Sequence, residues 1–186
     1  MSTTTLTILI VVAAAAALAA FLYYQRRRSE RLQGRFGPEY ERTVSEFGDR
    51  RKAESELERR ARRVERFNIR DLSGEERNRF ADAWRADQTQ FVDQPEQAVT
   101  DAHRLVTEVM RVRGYPVSGE FERNAADLSV DYPLVVEHYR AACHIAGQRD
   151  AGRANTEDLR KAMVHYRALF EELLGAPIRQ RQEVRP

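Results

Sequence analysis

Nineteen consecutive residues without a charge, Leu6 to Tyr24 (LTILIVVAAAAALAAFLYY), constrain this chain more than any other stretch, and they stop abruptly at Arg26, Arg27 and Arg28. With about 1.5 Å of rise per residue such a run reaches roughly 28 Å as a helix, close to the thickness of a bilayer's hydrocarbon core. Its Leu, Ile, Val and Phe residues favour insertion by roughly 3 to 5 kcal/mol in sum, before the near-neutral alanines are counted. The expectation is a single transmembrane helix that contacts membrane lipid through residues 6–24.

No Lys or Arg precedes the run, whereas Arg26, Arg27, Arg28, Arg31 and Arg35 follow it closely. Basic residues flanking a span stay on the cytoplasmic side, which puts the short N-terminus outside and the body in the cytoplasm. Tyr23 and Tyr24 sit where an interfacial aromatic anchor belongs. The competing reading is secretion after signal cleavage, because Ala17-Leu18-Ala19 has the small-x-small form of a cleavage site. A signal peptide starts with a basic region, however, and Met1 to Thr5 carries no basic side chain.

The formal net charge of +2 hides an asymmetry. Residues 26–66 carry 14 Lys or Arg against 9 Asp or Glu, a surplus of +5, while residues 68–186 carry 17 against 20, a deficit of −3. The segment after the apolar run is therefore basic and the rest slightly acidic. The arginines alternate with glutamates and no aromatic ladder interleaves them, so no nucleic acid is expected as a partner. The single cysteine, Cys143, excludes an intrachain disulfide. Its Ala-Ala-Cys-His-Ile setting reads as a small apolar side chain in a helix.

Gly34, Gly37 and Pro38 end the first helix, and Pro38 suits the first turn of the next. Tyr40, Val44 and Phe47 share one helical face, as do Leu57, Ala61 and Val64, with Gly48 as an interruption between the two sets. Glu46 with Arg50, Glu56 with Arg60 and Glu58 with Arg62 stand at i,i+4. The segment reads as a solvated helical stalk that can also touch anionic lipid.

Ser73-Gly74-Glu75-Glu76 is a capping box, opening a helix that buries Phe80, Trp84 and Phe91. Asp93-Gln94-Pro95-Glu96 repeats the start signal for a helix burying Ala98, Val99, Ala102, Leu105, Val106, Val109 and Met110, which Gly114 and Pro116 stop. The pattern loosens between Tyr115 and Tyr132 around a short amphipathic piece, Phe121 to Leu128. Pro133 begins a helix that runs to Gly147. Asn155 caps the last one, with Leu159, Met163, Tyr166, Phe170 and Leu173 on one face, stopped by Gly175 and Pro177. The fold class is all-α: a transmembrane anchor (1–25), a basic juxtamembrane linker and charged helix (26–67), a compact bundle of about four helices (68–176) and a flexible tail (177–186).

Only the histidines, His103, His138, His144 and His165, carry catalytic or metal-binding potential. His138 and His144 lie about 240 degrees apart around a helix and cannot share a face. His138-Tyr139-Arg140-Ala141 recurs as His165-Tyr166-Arg167-Ala168, which reads as two helices with similar packing roles. The histidines read first as amphipathic packing residues with polar tips turned to water, while a site could still assemble from His138 and His165 meeting across the bundle. No Gly-rich phosphate loop, nucleophile elbow or Cys–His pairing with an orienting group is present. No catalytic residue, metal ligand or cofactor is assigned.

Arg35-Phe36-Gly37-Pro38-Glu39-Tyr40, then Trp84, Gln88, Phe91-Val92-Asp93, Pro95 and Arg113-Gly114-Tyr115-Pro116, resemble a family of uncharacterised bacterial proteins with one N-terminal hydrophobic segment. The similarity covers most of residues 35–174 and includes Ala126-Asp127 and both His-Tyr-Arg-Ala segments. It implies the same architecture and transfers no activity. The functional expectation is a membrane-anchored helical interaction or scaffold protein, not an enzyme, with a protein partner or self-association. Two alternatives stand beside it: a metal-binding or enzymatic bundle using interhelical histidines, and an anionic-lipid sensor acting through the basic stalk.

Overall fold

The computed structural model describes residues 3–175, with side chains from residue 10 onward. The described residues form eight helices and no strand: α1 Thr3–Phe36, α2 Pro38–Phe47, α3 Arg50–Val64, α4 Gly74–Gln90, α5 Pro95–Val112, α6 Phe121–Asp131, α7 Val136–Asp150 and α8 Thr156–Leu174. The all-α class expected from the sequence is what is found. The chain divides into two compact units, one ending at Glu58 and the other beginning at Arg59, a boundary that falls inside α3. The tail expected to be flexible, 177–186, lies outside the described residues.

In the N-terminal unit, α1 continues without a break from the apolar run through the arginines to Phe36. Among the described residues no helix is long and apolar enough to cross a membrane. The span expected over Leu6 to Tyr24 is therefore not supported as a crossing helix; its first four residues, 6–9, have helical backbone but their side chains lie outside the described set. Gly37, at φ 49°, turns the chain, and Pro38 occupies the first turn of α2 as its fixed φ favours. Gly48, at φ 63°, ends α2 in the left-handed conformation.

Residues 38–58 are not the solvated stalk expected. Leu32, Phe36, Tyr40, Ala53 and Leu57 are buried, and Phe47 of the expected face is exposed. A buried carboxylate, Glu54, ties the unit together: it accepts from the Ser29 hydroxyl, from the Tyr40 hydroxyl at 2.9 Å and from Arg50 Nε at 3.2 Å. Burial alone would raise its pKa, but the three hydrogen bonds outweigh burial and hold it below the usual carboxylate range. One of the expected ion pairs is redistributed. The turn at Gly48 separates Glu46 from Arg50, so Glu46 pairs with Arg42 and Arg50 with Glu54. Glu58 also takes the guanidinium of Arg28.

The C-terminal unit is built on α5 and α8, which pack against each other, with α4 against α5 and α7 against α8. Ser73 caps α4 through the box read from the sequence: its hydroxyl accepts from Glu76 N at 3.1 Å, and the Glu76 carboxylate accepts from Ser73 N at 2.8 Å. Every residue expected on the buried face of α5 is buried. The same holds for α8, where Ala162 and Leu169 join the face. Trp84 stacks on Phe170 with ring centroids 4.8 Å apart, joining α4 to α8.

Gln94, not Asp93, precedes α5, and it makes no side-chain cap. The loose segment before Tyr132 is a full helix, α6, whose inner residues Ala125, Leu128 and Val130 are buried, so the described residues of this unit hold five complete helices, α4 to α8, instead of about four. Pro133 does not begin α7; residues 133–135 form a turn, and the helix runs from Val136 through Gly147 to Asp150. A lone glycine costs a helix only about 1 kcal/mol against alanine, too little to stop one that packs on α8. The chain turns instead at Gly152, with φ 66°.

Candidate functional site

The repeated His-Tyr-Arg-Ala motif builds the polar centre of the C-terminal unit. It places His138 on α7 and His165 on α8 with their Nδ1 atoms 2.9 Å apart and ring centroids 5.2 Å apart. One of the two nitrogens must donate and the other accept, so the pair holds at least one neutral ring. Burial and the neighbouring His138 both lower the pKa of His165. The sequence offered this meeting only as an alternative to histidines whose polar tips face water.

The tyrosines of the same two motifs, Tyr139 and Tyr166, are fully buried and flank a second group. His103 Nδ1 on α5 lies 3.1 Å from the Tyr166 hydroxyl and 3.7 Å from Cys143 Sγ, and Sγ lies 3.6 Å from that hydroxyl. The His103 ring is nearly parallel to Tyr139 and edge-on to Tyr166. This group was not read from the sequence. Its only trace there is register: Cys143 follows Tyr139 by four residues, one helical turn, while His103 comes from a helix forty residues away.

Electrostatics decide what this group can do. Burial pushes the Cys143 thiol up to about 11, against weaker help from the hydrogen bonds of Tyr166 and Tyr139. Burial and the nearby Arg149 cation lower His103, with Asp150 opposing. At neutral pH the group therefore holds a protonated thiol beside a neutral imidazole, the reverse of the thiolate–imidazolium pair that nucleophilic cysteine chemistry uses.

A pocket of about 650 Å³ opens beside the group, with His103, Phe121, Arg140, Cys143, His144 and Arg149 among its walls. Its cations are engaged. Arg149 donates to the Thr100 hydroxyl at 2.6 Å, to the Glu96 carbonyl at 3.1 Å and to Asp150 at 2.6 Å. Arg140 donates to Glu137 at 2.7 Å. His144 is exposed and lies 3.0 Å from the Gln148 amide nitrogen, apart from the other histidines, as its position around the helix requires. Among the described residues no three His, Cys, Asp or Glu side chains gather as a metal-holding group. Comparison with protein-family models, curated proteins and solved structures gives no match.

Proposed function

We propose that the protein is a membrane-tethered helical interaction module. The observation that carries this reading is the surface of α1: Ile10, Val11, Val12, Leu18, Phe21, Leu22, Tyr23 and Tyr24 are all 54 to 67% exposed. Consecutive helical positions are about 100 degrees apart, so Ile10-Val11-Val12 and Phe21-Leu22-Tyr23-Tyr24 turn apolar surface to every side. A protein groove covers one face of a helix, whereas a bilayer covers all of them. Surface of this kind marks a membrane or partner contact. The arginines that follow keep the two units on the cytoplasmic side in this reading. The resemblance to bacterial proteins with a single N-terminal hydrophobic segment belongs to the same proposal.

The test is fractionation of cells expressing the full chain. The protein is expected in membranes after carbonate washing, and protease added outside intact cells should spare its body. Release by carbonate, or a mature chain starting near Ala20, would sink the tether. The C-terminal unit is the part proposed to bind a protein or a second copy of itself; absence of any crosslinked species in native membranes would remove that half.

The contact of His138 with His165 favours a second reading, in which the pair takes a divalent transition metal with ligands from elsewhere. Metal analysis of the purified protein checks it. Equal metal content in wild type and in His138→Ala/His165→Ala would exclude it.

A further inference from the structure

The N-terminal unit carries a groove of about 590 Å³ at the foot of the apolar run, lined by Tyr23, Tyr24 and Arg27, then Arg31, Leu32 and Arg35 among others. Tyr23, Arg27, Arg31 and Arg35 follow one another at intervals of four, so they form a single stripe along α1. Arg28 and Glu58 also line the groove, and they neutralise each other: Nε lies 2.5 Å and Nη2 2.9 Å from the two carboxylate oxygens. Arg27 and Arg31 form no ion pair with a carboxylate among the described residues. Arg27 instead lies over the Tyr23 ring, 5.1 Å from its centroid. The groove thus joins an aromatic and apolar upper end to a lower end with two guanidinium groups that no carboxylate among the described residues neutralises.

Its position fixes what it can meet. Arg27 and Arg31 stand roughly 4.5 and 10 Å along the helix axis past Tyr24. The headgroup layer on each side of a bilayer is about 5 to 7 Å deep. Helical side chains lean toward the helix N-terminus, which for α1 is the direction of the apolar run, so both arginines reach back toward that layer. A guanidinium fork matches two oxygens of a phosphate.

Resting on the tether reading above, we infer that Arg27 and Arg31 bind the phosphodiester of an anionic phospholipid headgroup, with Tyr23 and Leu32 flanking its glycerol and upper chain. This converts a diffuse attraction of basic residues into a defined lipid site on one face of one helix.

The experiment uses full-length protein reconstituted in phosphatidylcholine vesicles containing a trace of photoactivatable phosphatidylglycerol or photoactivatable phosphatidylcholine, with crosslinks mapped by mass spectrometry. Phosphatidylglycerol should label residues 20–35 in preference to phosphatidylcholine. Arg27→Gln/Arg31→Gln should cut that labelling about thirtyfold. Arg160→Gln/Arg167→Gln, which removes the same charge from exposed positions of α8, should leave it unchanged. Equal labelling by the two lipids, or equal loss in both double variants, overturns the site while leaving the tether standing. Protein released by carbonate from the same vesicles overturns the tether and the site together. Competition by soluble glycerol phosphate moves the site to a free phosphate ester and overturns the lipid assignment.

Discussion

Gly114 and Arg113 stand side by side and are held for opposite reasons. Gly114 has φ 96°, and a Cβ there would press into the Asn68 carbonyl, 2.9 Å from its carbon and closer still to its oxygen. Gly114→Ala meets backbone on both counts of strain and space, so it should lower the unfolding free energy by about 2 kcal/mol or more, measured by urea titration. Arg113 is among the largest fully buried side chains. It donates to the Leu173 carbonyl at the end of α8 and to Asp71 at 3.2 Å, and its guanidinium carbon lies 5.9 Å from the Tyr132 ring centroid. Arg113→Ala should cost about 3 kcal/mol, because it leaves a buried carbonyl unpaired and a cavity behind. Urea titration of both variants against Arg111→Ala, on the exposed side of the same helix end, separates burial from charge. Sequence reading saw Gly114 as a stop signal, since glycine after a helix announces itself. It did not see Arg113 as a core residue, because an arginine's burial depends on three partners distant in sequence.

At the level of helices, what the sequence declared was periodicity and caps. The faces of α5 and α8 were readable because apolar residues at three- and four-residue spacing admit one arrangement. The α4 cap was readable because serine and glutamate three apart satisfy each other's backbone N–H. Ser73→Ala should therefore destabilise by about 1 kcal/mol, checked by thermal melting, while Ser118→Ala, outside any cap, should not match it by the same route. The start of α7 and the whole of α6 were less visible. Proline at 133 mimics a first-turn signal, yet Tyr132 and Val136 are bound by a turn, with Val136 N donating to Tyr132 O at 3.1 Å, and the helix starts only beyond it. The repeated motif announced similar packing roles for α7 and α8, and left the histidine contact between them as one possibility. The His103–Cys143–Tyr166 group could not, because no local pattern links α5 to either helix.

For the molecule as a whole, pH should act through two opposed sets of groups. His103 and His165 have lowered pKa values in the fold, so the unfolded chain takes up their protons first; the stability they contribute is complete above about 6.5 and lost as pH falls below it. Asp87 is raised to about 6 by burial and then by Asp101, with Arg104 opposing. Its contribution runs the other way, complete below the usual carboxylate pKa and lost as pH rises through about 6. Thermal midpoints measured across this range should thus report the difference between the two sets. Asp87→Asn should raise stability near neutrality by about 1 kcal/mol after solvent screening is allowed for, and should expose a clear acid decline. His103→Asn/His165→Asn should abolish that decline.

The unbroken backbone of α1 has a mechanical consequence. Its exposed apolar half and the buried residues Leu32 and Phe36 belong to one rod with no hinge between them. Under the tether proposed above, a rod seated in a fluid sheet transmits tilt and rotation to whatever is bolted to its far end, so the rest of the N-terminal unit would inherit its attitude to the lipid plane from the way α1 leans, and any device that tipped the helix would swing that unit with it.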